Sequence, residues 1–170
     1  MRIKILIIFI INVLFLAGGF KGVFALEHTQ KDGLFNMDVP KQWHWVESPQ
    51  EVIMTYPDGK TIAIDIQWVP SRKLSQADIK KTIKEANDKM IKEGIEAHHG
   101  TLIDEQEIKL DGVYATRLDF KTTPPDPVYV AYISFFNKGY AFTITYGSGD
   151  DKMRLVMDDV LATFKFNRAR

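Results

Sequence analysis

Three short turn sequences, Pro57-Asp58-Gly59-Lys60, Asp111-Gly112 and Asn137-Lys138-Gly139, constrain this chain more than any other feature. Each separates two strand-length segments, and connections this short join antiparallel neighbours, because a parallel crossover needs a dozen residues or more. In the first, proline presets φ and glycine accepts a positive φ. The flanking segments read as strands: Glu51 to Tyr56 with Thr61 to Val69, then Gly100 to Lys109, Val113 to Phe120, Val128 to Phe136 and Tyr140 to Tyr146. An earlier strand, Leu34 to Val39, is stopped by Pro40. Along Thr61 to Val69, Ile62, Ile64, Ile66 and Trp68 alternate with Thr61, Ala63, Asp65 and Gln67. One face of that strand is therefore core and the other wet or lightly covered.

Two segments break the strand pattern. Ser75 followed by Asp78 is a capping-box-like start, and Ile79, Ile83, Ala86 and Met90 recur at helical spacing until Gly94. Glu85 with Lys89 and Asp88 with Lys92 are acid-before-base pairs on the outer face. Met153, Val156, Met157, Val160, Leu161 and Phe164 mark a closing helix, with Thr163 to Phe166 ending as a short strand. Gly147-Ser148-Gly149 precedes it, with Ser148 as a possible cap and Asp150-Asp151 suited to its positive end. The order strands, helix, four strands, helix predicts an α+β fold: an α/β/α sandwich around a mainly antiparallel sheet. Two helices do not cover both faces of such a sheet. Either the segment around Trp43 and Trp45 covers part of one face, or part is left open for a partner.

The amino terminus predicts export. Arg2 and Lys4 precede an apolar run from Ile5 to Leu16, and Val23-Phe24-Ala25 reads as a cleavage site. The run is too short for the ~20 residues of a membrane span. Residues 1–25 are thus expected to be a signal peptide cut after Ala25, and 26–170 one domain, periplasmic or secreted. A retained signal acting as a tether is the alternative. The signal holds three of the 22 basic residues (Arg2, Lys4, Lys21) and no acid, so 19 basic residues face 22 acidic ones in the remainder, a formal charge of −3. Nucleic acid is not an expected partner. The absence of cysteine excludes disulfides, thiolate metal sites and a cysteine nucleophile.

Several phrases together resemble one family. Gly33-Leu34-Phe35-Asn36-Met37-Asp38-Val39-Pro40-Lys41-Gln42-Trp43 is similar to the opening of PsbP-like proteins: glycine, aromatic, strand, proline, then tryptophan. Leu110 to Leu118, Asn137 to Phe142 and Val160 to Phe166 resemble later strands, the central hairpin and the closing helix and strand of the same family. The likeness implies an α/β/α sandwich, a fold that PsbP-like proteins share with Ran-binding Mog-type and bacterial envelope DcrB-like proteins. These are mostly accessory or binding proteins. The shared residues are turns, caps and core positions, so the resemblance implies no catalytic group and no cofactor, and it transfers no particular partner.

Candidate site residues follow from chemistry alone. Trp43 and Trp45 share a side if their stretch is extended, and with Trp68 they either line an aromatic groove or pack in the core. Arg117 and Asp119 lie two apart on a strand and so form a charged pair on one face, marking a polar groove or a solvent-facing edge. Pro124 and Pro125 stiffen a loop that either presents a recognition surface or simply connects two strands. His98 and His99 are the weak metal candidates, but at the start of a strand they point to opposite faces and do not chelate one ion. Gly147-Ser148-Gly149 lacks the five-residue nucleophile elbow. The expectation is an exported, non-enzymatic accessory protein that binds an unidentified envelope protein or complex through its sheet face and loops. A small-ligand or metal-ion (calcium, manganese or zinc) binding module of the same fold is the alternative.

Overall fold

The computed structural model describes residues 25–58, 62–96, 99–123 and 128–167. The expected signal, apart from Ala25, lies outside them, as do Gly59, Lys60, His98 and the prolines 124, 125 and 127. Five strands open the described chain: β1 (Ala25–Thr29), β2 (Phe35–Pro40), β3 (His44–Ser48), β4 (Glu51–Thr55) and β5 (Ile62–Pro70). Helix α1 (Gln76–Lys89) runs on through a π-helical turn, Met90–Ile95. Four strands follow, β6 (Thr101–Leu110), β7 (Val113–Lys121), β8 (Tyr129–Asn137) and β9 (Tyr140–Ser148), then α2 (Asp151–Ala162) and a two-residue β10 (Lys165–Phe166). The α+β class and strand-helix-strand-helix order match expectation.

Among the described residues every strand pair is antiparallel. A seven-stranded sheet has the order β3-β4-β5-β9-β8-β7-β6, and a three-stranded one has β1-β2-β10. The small sheet was not legible beforehand, because Leu26-Glu27-His28-Thr29 carries no apolar alternation and gains its strand only by pairing with β2. Asp111-Gly112 and Lys138-Gly139 turn their hairpins with both residues at positive φ, +47° and +83°, then +49° and +83°. That geometry matches the twist of the strands it joins.

Directly opposed residues share a sheet face, so the register sorts the side chains. One face of the large sheet carries Ile64, Ile66 and Trp68 on β5, Phe142, Ile144 and Tyr146 on β9, and Ala131, Ile133 and Phe135 on β8, all buried. Helix α2 and the small sheet close over it with Met157, Leu161, Phe35, Met37, Phe164 and Phe166. Ile62 does not join this core. It is exposed, because a register shift between Met54 and Thr55 displaces the start of β5.

The opposite face is built differently. Glu51, Gln67, Thr143, Ser134, Thr116 and Glu107 form one continuous polar row from β4 to β6. Helix α1 lies over the β7–β8 part of that row. It brings down Ile83, as its spacing predicted, but the second buried position is Asn87 rather than Ala86, which is exposed. Asn87 Nδ2 donates to Thr116 Oγ1 at 2.8 Å and to Glu105 at 3.3 Å, while its Oδ1 accepts from Ser134 Oγ at 3.1 Å. A polar row favours a polar helix residue: the Thr116 and Ser134 hydroxyls bond each other at 3.0 Å, and Asn87 takes up the bonding capacity that pair leaves over.

Three local expectations also change. Gly94 does not stop the helix, which continues to Ile95 with Met90 packed against the glycine. The outer-face ion pairs are Lys81–Glu85, Lys84–Asp88 and Lys89–Glu93, base before acid. Asp150, not Ser148, caps α2 by accepting from the Lys152 amide, while Ser148 Oγ accepts from the Asp150 amide. Ser75 caps α1 as expected, its hydroxyl accepting from the Asp78 amide.

Asn87→Ala is expected to lower the unfolding free energy in urea by about 2 kcal/mol, because Ser134 and Thr116 lose buried partners. Ala86→Leu on the exposed side of the same turn should stay within about 0.5 kcal/mol of the parent.

Candidate functional site

Arg117 sits on the core face of β7, beside Ile133 of β8 in register. Its position two residues from Asp119 puts both on that face, where they are only 18% and 17% exposed at the side chain. The guanidinium grips Asp119 as a fork, Nε to Oδ2 at 2.8 Å and Nη2 to Oδ1 at 2.8 Å. The third arm, Nη1, reaches Asp158 of α2 at 2.9 Å, and the Tyr146 hydroxyl of β9 donates to the same Asp158 oxygen. Burial alone would lower the Arg117 pKa, but the bonds to Asp119 and Asp158 hold it above its ordinary value. Burial, then the bond to Asp158, pushes Tyr146 well above its usual 10, against the opposing pull of Arg117. The charged pair expected on one face is present, largely buried beneath α2 rather than at a solvent-facing edge. What sequence reasoning missed is the clamp across to α2, for which Asp158 gave no local signal.

The tryptophans separate by depth. Trp43 is buried edge-on against Tyr56, and Trp68 packs edge-on against Phe35. Trp45 is half-buried at the rim of the core, stacked on His28 with ring centroids 5.1 Å apart. Trp43 and Trp45 thus contact different partners. His99 lies in a turn at φ +58° rather than on a strand. Among the described residues no three or more His, Cys, Asp or Glu side chains converge as metal ligands. No described helix is long and apolar enough to cross a membrane.

The candidate docking surface is the half of the polar face over β3, β4, β5 and β9, on which no described helix lies. Val46 and Val69 are 57% and 52% exposed there, with half-buried Ile53, Thr143 and Thr145 between them. At its centre Gln67 Nε2 donates to Glu51 at 3.0 Å and to Asp65 at 2.9 Å. Burial, and then the charge of Glu51, raises the Asp65 pKa. The far edge of the sheet is guarded: β6 bulges between Leu102 and Asp104 and carries Asp104, Glu105 and Glu107, a combination that discourages strand addition. Two concavities adjoin α1. One of about 590 Å³ runs between Lys80, Lys84 and the strand residues Glu105, Glu107 and Tyr114, with Lys80 and Glu107 paired across it at 3.4 Å. The other, about 450 Å³, lies between the loop before α1 and the β8–β9 hairpin.

No known family profile and no curated protein sequence matches the chain. Solved structures do. Cyanobacterial PsbP (CyanoP) from Synechocystis sp. PCC 6803 superimposes with a TM-score of 0.65 at 13% identity, over 89% of this chain and 97% of that one. LpqN of Mycobacterium tuberculosis, described as involved in cell envelope biogenesis, gives 0.55 at 14% identity over 85% and 91%. The Saccharomyces cerevisiae Ran-binding protein Mog1p gives 0.52 at 10% over 85% and 96%. The chain has the fold these proteins share, as its turn and cap phrases implied. Identities this low carry the fold alone.

Arg117→Leu is expected to cost about 2–3 kcal/mol in urea denaturation, less than a fully buried pair because Asp158 stays a third exposed. Tyr146→Phe should lose about 1 kcal/mol at neutral pH with its hydrogen bond. A raised folded pKa means that Tyr146's contribution is intact below pH 10 and lost as pH rises beyond it. The variant's stability should therefore fall less steeply than the parent's above pH 10.

Proposed function

We propose that this protein is an exported accessory protein of the cell envelope, carrying residues 1–25 as its signal and binding a partner protein through the uncovered face of β3, β4, β5 and β9. The observation that carries this reading is that face itself. A sheet whose other side is closed by both a helix and a second sheet leaves exposed valines flanking a hydrogen-bonded polar centre, the mixture typical of non-obligate interfaces. The fold supports it, since Mog1p is a Ran-binding protein and LpqN is described as involved in envelope biogenesis. Trp45 at the rim and the loop at Pro124 and Pro125 are the further candidate contacts. Arg117 does not join them on this face, since it lies on the core side of β7 with its donors committed to Asp119 and Asp158. The binding chemistry proposed is shape and hydrogen bonding.

The test is site-specific photo-crosslinking in the native cell. A photoreactive residue at Val46 or Gln67 should give one discrete protein adduct, and the same residue at Lys84 on α1 should give none. Equal labelling from all three positions, or no adduct from Val46 and Gln67, would remove the proposed face. An amino terminus at Leu26 in the protein recovered from the envelope fraction is expected; Met1 would sink cleavage.

A further inference from the structure

The concavity between the loop before α1 and the β8–β9 hairpin is lined by basic, apolar and neutral polar residues with no acid among them. Arg72 and Lys73 line it together with Leu74, Ile79 and Phe136, while the ammonium of Lys138, also at its margin, is held by the Asn167 carbonyl. Its geometry is held by backbone: the Ser71 amide donates to the Gly139 carbonyl at 2.7 Å, and Gly139 turns at φ +83°. The α1 amino terminus adds little to the charge here, since Ser75 caps it and Asp78 sits in its first turn. The positive field comes from the Arg72 and Lys73 side chains, both exposed and outside any ion pair among the described residues. The groove is also continuous with the open sheet face, for Phe136 pairs with Ala141, which in turn pairs with Val69.

From these features we infer that the groove binds an acidic, extended segment of a protein partner, with an aliphatic side chain of that segment seated on Leu74, Ile79 and Phe136 and its carboxylates on Arg72 and Lys73. Charge complementarity selects the occupant. An unpaired arginine and lysine beside a half-buried apolar floor attract carboxylates, while the apolar floor rewards a side chain between them. The shape selects a peptide over an anionic bilayer. The apolar residues are recessed and half-buried, whereas a membrane-docking surface presents its apolar side chains outward. The inference rests on the docking face proposed above, which it extends to the partner's chemistry.

Amide shifts of the isotopically labelled full chain test it. The probe is an acetylated, amidated Glu-Asp-Leu-Asp-Glu peptide, with Gln-Asn-Leu-Asn-Gln as the neutral control and phosphatidylglycerol vesicles as the membrane arm. The acidic peptide should move the Leu74, Phe136 and Gly139 amides and bind about tenfold more weakly to the Arg72→Glu, Lys73→Glu double variant, with affinity falling as salt rises. Unmoved amides overturn the inference, as does equal binding by the neutral peptide or by the double variant. So does a response to vesicles in place of the peptide. The groove and the face fail separately: a Val46 adduct without a peptide response removes the groove alone, and a peptide response without an adduct removes the face alone.

Discussion

The aromatic cluster on one face of the large sheet is the constraint from which the rest of the architecture follows. Phe135 and Phe142 stack at 4.9 Å, Phe35 and Phe164 at 5.0 Å, and Phe166 meets Phe164, Phe135 and Phe142 edge-on. These five rings come from β2, β8, β9, β10 and the exit of α2, so burying them requires the small sheet and the closing helix to sit on the same face. Both elements are thereby committed. Among the described helices that leaves α1 for the opposite side, and one fourteen-residue helix does not cover seven strands.

That asymmetry explains the character of the second face. Where α1 lies down, it meets hydroxyls with an amide, and Asn87, Thr116 and Ser134 satisfy one another away from water. Where it does not reach, the same polar row continues into Thr143, Gln67 and Glu51 in contact with solvent. A hydrophobic row would have demanded a cover. A polar one tolerates water, which fits the docking role proposed for this face. The Arg117 clamp acts on the other side of the sheet, where it pins α2 by Asp158 over a position whose neighbour in register is Ile133.

Much of this was legible beforehand and for identifiable reasons. The strands after α1 stand within a residue or two of their expected bounds, because Asp111-Gly112 and Lys138-Gly139 fix both the turn and the register of the hairpins they close. The Ser75 cap and the pairing of Arg117 with Asp119 were legible too, each depending on residues two or three apart. The misses share a cause. Strand β1 has no pattern of its own, the helical spacing selected Ala86 and passed over Asn87, and Asp158 carries no local signal. In each case the deciding partner lies far along the chain, on β2, on β7 and β8, or 41 residues away on β7.

What the sequence by itself determined is therefore the local grammar: antiparallel strands, two capped helices, hairpin turns and an α+β class, all set by interactions within a few residues. Only the tertiary structure decided which face is closed, which half of the other stays open, and that a basic groove continues it beside α1. Those outcomes depend on register summed across seven strands and on which helix reaches which row, quantities no local window of residues contains.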